Sequence, residues 1–401
     1  MFRWVGSRVV ALAALTAGMA GFVSFQATQL PVGYWNLDDA ASPAVDSMAG
    51  ANGTWVGTPT RITAGLPAGF SYGDLSALGF STAGANQYVQ LGSSATLDAL
   101  QTGSYSISAW FRPASVPATG TQYGIVMKSA GDNEGLTWRD YPAYPGNGVF
   151  EFWHWSDPVT LVNPGSWSMI ALGPNTWHHV VGVWDSAAPA AQLWLDGVQV
   201  DSRATAATGF VNSGPWRLGI ANPAAAGAAQ WQADGAVDDV RLYGYPLNPN
   251  QVAVLFNGVP APTGLMASVG GGAVNLSWTA PPQAVTYTYS IGRRTTGSAG
   301  AYTVINGAPV SGTTYIDPSG TPGNSYDYVV YAISVATSGP SLPATAVAPA
   351  PAPPPPPPGP HIAGYESHNM AHRCGCSTLE GPVAFWAAFA LAVVALLLRR
   401  R

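Results

Sequence analysis

The chain has 401 residues, with 15 Lys+Arg, 20 Asp+Glu, 9% charged residues, 47 Gly, 35 Pro, 15 Trp and 17 Tyr. At roughly 100 to 200 residues per domain this length implies two or three domains, and a charged fraction far below the usual quarter excludes coiled coils and helical bundles. Between residues 28 and 360 lie 9 basic and 18 acidic side chains, a balance that attracts cations, repels phosphate backbones and excludes a nucleic-acid partner.

Arg3 and Arg8 precede an apolar run over 9–25. This is the charged and then apolar order of a secretory signal, so residues 1–27 are expected to direct export, either as a cleaved signal peptide or as a retained anchor.

From 29 to 258 the chain reads as short strands. In SYSISAWFRP, Ile107, Ala109 and Phe111 alternate with Ser106, Ser108 and Trp110, which predicts a half-buried strand. AQLWLDGVQVDS predicts a hairpin, with Asp196 and Gly197 supplying the positive φ values of a tight turn. Nothing here shows the caps and 3.6-residue period of a long helix. About 230 residues of such strands predict one large sandwich or jelly roll.

Six segments carry a resemblance: GYWNLDD from Gly33, DSMAGANGTWVG from Asp46, SISAWFRP from Ser106, NTWHHVVGVWD from Asn175, LWLDGVQV from Leu193 and GAVDDVRLYGYPLNPNQV from Gly235. In this order they resemble a laminin G-like, concanavalin A-type jelly-roll domain. The resemblance implies the fold. It leaves function open, because such folds host lectins, adhesins, sialidase accessory modules and some glycosidases.

Catalysis needs its own evidence. Concanavalin-type glycosidases carry an ExDxxE strand that aims two carboxylates into the cleft. The nearest string runs from Glu151 to Asp157 and lacks that spacing. On a strand Glu151, Trp153 and Trp155 share one face, and no GxSxG, HExxH, P-loop or GxGxxG is present. A non-catalytic protein is therefore expected. Its alternatives are a polysaccharide-degrading glycosidase or lyase whose acids meet only in space, and a structural cell-envelope protein.

Binding residues are sought among aromatics and carboxylates. Tyr141, Tyr144, Trp153, Trp155, Trp167 and Trp231 lie in or beside predicted loops, where rings can stack on sugar faces. Tyr141, Tyr144, Trp153 and Trp155 are the leading ligand-binding candidates, for a carbohydrate or glycoprotein partner. His178 and His179 are adjacent, point to opposite strand faces and cannot chelate one ion together; one is expected in the core and the other at the surface.

The candidate metal is Ca²⁺, with Asp46 and Asn52 in a Gly-rich loop and Asp238 and Asp239 from the last strand. The laminin G-like resemblance implies such a loop and final-strand acid, although Met48 and Ala49 stand where that family usually has Ser and Gly. The alternative makes Asp46 and Asn52 turn residues and the aspartates a solvated strand.

Residues 260–346 form a second strand-rich segment. Val274, Leu276 and Trp278 alternate, as do Tyr326, Tyr328, Val330 and Ala332, each set placing one apolar face inward. The segment resembles a fibronectin type III domain through Pro262, Leu265 and Ala267, Trp278, and the YxYxVxA strand from Tyr326, without an RGD triplet.

Residues 347–382 begin as a Pro-rich stalk that favours polyproline II, and include both cysteines, Cys374 and Cys376. An apolar run over 383–398 then ends in three arginines. At about 1.5 Å per residue it reaches roughly 24 Å, a little under a bilayer core, with the arginines expected inside. The Cys pair, apolar helix and Arg cluster resemble the MYXO-CTERM type of bacterial C-terminal sorting signal, which implies processing by a sorting protease at Cys374 or Cys376. The expected molecule is all-β: a concanavalin A-like jelly-roll sandwich plus a smaller fibronectin type III sandwich, with an N-terminal signal segment and a C-terminal apolar helix (383–401). It is exported, bound to the membrane through that helix before processing, and displayed at the cell surface or outer membrane for adhesion or carbohydrate recognition.

Overall fold

The structure, a computed structural model, describes residues 30–48, 50–66, 75–83, 86–129, 133–140, 146–154, 166–167, 172–204, 214–222 and 231–350. The signal segment, the expected stalk from residue 351 onward and the C-terminal apolar run, with Cys374 and Cys376, lie outside them.

The larger sandwich is built from β1 (Gly33–Trp35), β2 (Thr54–Val56), β3 (Thr60–Ile62), β4 (Ala77–Phe80), β5 (Tyr88–Gln90), β6 (Tyr105–Pro113), β7 (Gln122–Ser129) and β8 (Asn133–Asp140). It continues with β9 (Gly148–Trp153), β10 (Ser166–Trp167), β11 (His178–Asp185), β12 (Ala190–Leu195), β13 (Val198–Ala204), β14 (Trp216–Leu218) and β15 (Gly235–Tyr243). One sheet runs β13-β12-β11-β6-β15-β4-β3, with β1 also on β15; the other runs β10-β9-β8-β7-β14-β5-β2. Pairing is antiparallel throughout, as in β6 with β11 and β8 with β9.

The period-two pattern places Ile107, Ala109, Phe111, Val180 and Trp184 of the first sheet against Leu136, Trp138, Phe150 and Phe152 of the second. The sheets meet closely at Gly182, where a β-carbon would lie 2.3 Å from the Phe152 ring. The expected hairpin turn is present, with Asp196 at φ 49° and Gly197 at φ 81°.

Two expectations fail for one reason. β6 is buried on both faces, including Ser106, Ser108 and Trp110, and both His178 and His179 are buried. The first sheet's outer face is covered by a helix, α2 (Pro249–Asn257), which follows the short α1 (Ala95–Asp98). Phe256 of α2 stacks on Trp110 at 5.7 Å between ring centroids. Asn248 caps α2: its side chain accepts the Gln251 N–H, the Gln251 side chain returns to the Asn248 N–H, and Pro249 occupies the first turn. These bonds satisfy orphan donors that a helix start leaves open.

The smaller sandwich pairs β16 (Thr263–Gly270), β17 (Ala273–Thr279) and β20 (Thr314–Asp317) in one sheet. The other holds β19 (Thr303–Val304), β18 (Thr288–Thr295), β21 (Ser325–Ile333) and β22 (Thr337–Pro340), with β23 (Ala344–Val347) also on β21. Val274, Leu276, Trp278, Tyr326, Tyr328, Val330 and Ala332 form its core, as their alternation predicts. Both sandwiches fall within one compact unit, joined by an apolar cluster in which Val181, Val183, Trp194 and Tyr243 meet Val252, Leu255 and Val335. Among the described residues no helix is long and apolar enough to cross a membrane.

Candidate functional site

With the first sheet covered, the outer face of the second sheet is where chemistry gathers. Leu136 and Trp138 point into the core, so Thr137 and Arg139 between and beyond them point outward. Register sets Thr137 opposite Glu151 on β9, and Trp153 lies two residues further along the same face.

Oε2 of Glu151 accepts from Trp153 Nε1 at 3.0 Å and Thr137 Oγ1 at 3.3 Å. Oε1 accepts from Arg139 Nη1 at 3.2 Å. The Trp153 indole N–H is shared with Thr137 Oγ1 at 3.1 Å, which fixes the ring while leaving it half-buried. Trp231 lies 6.1 Å from it between centroids, tilted by 40°. Trp231 itself holds φ 57°, a left-handed conformation that costs a non-glycine residue free energy and persists only where its surroundings over-determine it. Its carbonyl accepts from Gly124 N–H at 2.7 Å, tying the ring to β7.

Burial pushes the Glu151 carboxyl upward from its ordinary value, against the opposing pull of Arg139, Trp153 and Thr137. Among the described residues no second carboxylate shares this network. The sequence drew attention to Trp153, Trp231 and Glu151. It missed Thr137 and Arg139, which reach the site only through pairing register and carry no motif. Tyr141, Tyr144 and Trp155 lie outside the described residues.

The residues considered for calcium do not assemble a cage. Asp46 Oδ1 accepts the N–H groups of Tyr34 and Met48 at 2.9 Å each; Oδ2 accepts those of Gly50 at 3.0 Å and Ala51 at 2.9 Å. Asn52 Oδ1 accepts the Asp46 N–H at 2.9 Å. Asp239 Oδ1 instead accepts from the Tyr34 hydroxyl at 2.7 Å and Arg241 Nη2 at 3.0 Å, while Asp238 Oδ1 accepts the Asp239 N–H. A cation at Asp46 would face amide hydrogens rather than the shell of oxygens Ca²⁺ requires. The residues do not fit the metal, and neither aspartate of β15 is solvated: Asp238 and Asp239 are both buried. Among the described residues no group of three or more His, Cys, Asp or Glu could hold an ion.

Two buried clusters could pass for catalytic sets. His179 Nε2 lies 2.9 Å from Ser108 Oγ, but both are sealed beneath α2. Burial first, and Arg241 second, hold the His179 pKa down to about 3, which spoils it as a base near neutrality. Between the sheets Tyr105 donates to Glu134, and His154 Nδ1 lies 3.1 Å from the same carboxylate. His154 stacks on Trp184 at 3.9 Å. All four are buried, and this cluster staples one sheet to the other.

Residues 83–253 match the family model described as the concanavalin A-like lectin/glucanases superfamily. The larger sandwich thus carries a concanavalin A-like domain. Among solved structures, domain 4 of AbnA, a GH43 extracellular arabinanase from Geobacillus stearothermophilus in complex with arabinotriose, is 17% identical, covering 56% of this chain and 98% of that one at a TM-score of 0.39. The binding domain of Paraclostridial Mosquitocidal Protein 1 is 11% identical, covering 76% and 87%, at a TM-score of 0.44. A Fn3-like protein from Clostridium thermocellum is 36% identical over 22% of this chain and 92% of that one, at a TM-score of 0.19. No curated protein sequence matches the chain.

Proposed function

We propose that the chain is a non-catalytic carbohydrate-binding protein, exported and displayed at the cell surface. Its ligand is a glycan or glycoprotein, held on the outer face of β8 and β9. The observation that carries this reading is the half-buried Trp153 ring, oriented by its indole bonds to Glu151 and Thr137 and paired with Trp231. A ring held this way offers a stacking face for a sugar, with the exposed Arg139 guanidinium on the same face to donate to hydroxyls. The family description, which spans lectins and glucanases, agrees with a saccharide ligand. Export and anchoring are supported by the charged and apolar order of the two termini, and adhesion is the role that order and this domain suit together.

The second reading, a glycosidase, is favoured by one observation: the raised pKa of Glu151 suits a general acid. It needs a partner carboxylate at a separation of about 5 to 10 Å, which the network of Glu151 does not supply among the described residues.

A glycan array followed by calorimetry on the best soluble oligosaccharide tests the proposal. Trp153→Ala is expected to weaken binding about tenfold, a loss of about 1.4 kcal/mol, in a chain that still unfolds cooperatively, with a melting temperature lowered by the lost donor to Glu151. Equal affinity in Trp153→Ala and Trp231→Ala would overturn the site. Reducing-sugar release from a polysaccharide panel, abolished by Glu151→Gln, would establish the enzyme instead.

A further inference from the structure

We propose a second ligand site, for an uncharged hydroxyl-bearing molecule of one or two sugar rings, in the cavity of about 290 Å³ between the two sandwiches. It lies on the outer side of the first sheet and is independent of the Trp153 face.

One wall carries Tyr34, Asn36 and Arg241, the other Tyr331, Thr337 and Ser338. Met48 and Val335 supply apolar surface between them. The first wall is shaped by an irregularity in β15, whose register against β6 shifts between Asp238 and Arg241. Within it Asp239 holds φ 50°, again a costly left-handed conformation for a residue with a β-carbon. Bulges of this kind re-aim side chains and are frequent beside functional sites. Here the result is a fixed trio. The Arg241 guanidinium sits 4.1 Å from the centre of the Tyr34 ring, and Tyr34 and Arg241 both donate to Asp239 Oδ1.

That trio sets the ligand's charge. Among the described residues Arg241 is the one cation or carboxylate lining the cavity, and Asp239 neutralises it, so an anion gains no unopposed charge there. The second wall is preformed. Ser334 N–H donates to Ala336 O at 2.9 Å, Tyr243 OH to Val335 O at 2.8 Å, and Ala332 N–H to Ser338 Oγ at 2.8 Å. Tyr331, Thr337 and Asn36 bring hydroxyl and amide groups to a cavity that Met48 and Val335 also line, the two kinds of surface a sugar ring can use. The volume lies at the low end of small-molecule pockets, room for one or two sugar rings.

Saturation-transfer NMR on the full chain tests this, with methyl glycosides of glucose, galactose, mannose and N-acetylglucosamine, their disaccharides, and glucuronic acid as the anionic control. At least one neutral probe is expected to bind at millimolar concentration. Measured in the Trp153→Ala background, where the β8–β9 face no longer reports, Thr337→Trp and Met48→Trp, which plug the cavity at two different places, should each weaken that binding at least tenfold. If one plug does not fold, as its melting curve would reveal, the other decides. Absence of any bound neutral probe, binding that survives a folded plug, or binding of glucuronic acid alone would each overturn the proposal. Loss of all binding in Trp153→Ala alone would assign the ligand to the β8–β9 face and overturn the cavity site.

Discussion

His179 shows how one residue ties stability to pH. In the folded chain its pKa is held down to about 3, against about 6.5 in an unfolded chain. The native state keeps it neutral, whereas the unfolded chain takes up a proton as pH falls below about 6.5. Its contribution is therefore present above that value and is lost progressively toward about pH 3. Melting temperatures across this window should fall less steeply in His179→Gln than in the wild type; parallel curves would show that another group governs the acid limb. Asp46 makes a second case. Its four N–H donors fold the loop around the carboxylate, so Asp46→Ala, which leaves several of them without an acceptor, should cost on the order of 3 kcal/mol or more in thermal or urea unfolding. Because the site does not fit Ca²⁺, melts with excess Ca²⁺ and with chelator should superimpose, and a rise of several degrees with the ion would refute that reading. The sequence showed that Asp46 and Asn52 belong to one Gly-rich loop. It could not show which atoms face Asp46, because amide hydrogens and carbonyl oxygens of a loop are equally invisible in side-chain identity.

At the scale of elements, α2 converts a half-covered sheet into a buried one. No helix is expected here from the sequence: Asn248, Pro249 and Gln251 do form a capping box with proline in the first turn, but at nine residues the helix is too short for its period to stand out. Asn248→Ala should destabilise the chain by about 1 kcal/mol and shift its melting by a few degrees, and a fall in helical signal without that shift would mean the helix does not matter to the core. Strands β6, β17 and β21 were legible because apolar residues alternate along them. The burial of Ser106 and Ser108 was not, since it depends on a helix 140 residues away in sequence, and small hydroxyls look the same whether they face water or a neighbouring backbone. Ser106 Oγ in fact donates to Tyr245 O and accepts from Leu247 N–H. The same limit hid half of the candidate site: Glu151 and Trp153 share a strand and a face, but Thr137 and Arg139 join them through the pairing of β8 with β9, and register is a property of two strands.

For the molecule as a whole, the second sandwich is more than a spacer on a string. Val335 and Val285 pack with Tyr243, Val252 and Leu255 in one cluster, and the Tyr243 hydroxyl crosses the seam to the Val335 carbonyl at 2.8 Å while wholly buried. The cluster closes an apolar sheet face that would otherwise meet water, so the two bodies should unfold together. Calorimetry of the full chain is expected to show a single transition. Tyr243→Phe keeps the ring and removes the hydroxyl, leaving a buried carbonyl without that donor at a cost of about 1 to 3 kcal/mol. If the seam couples the bodies, this one substitution in the larger sandwich should lower the unfolding temperature reported by both sandwiches equally, read for example by hydrogen exchange at Val183 and at Val330. Two separate transitions, or a loss confined to the first sandwich, would show that the bodies fold independently and that the seam, with the cavity beside it, is not held rigid.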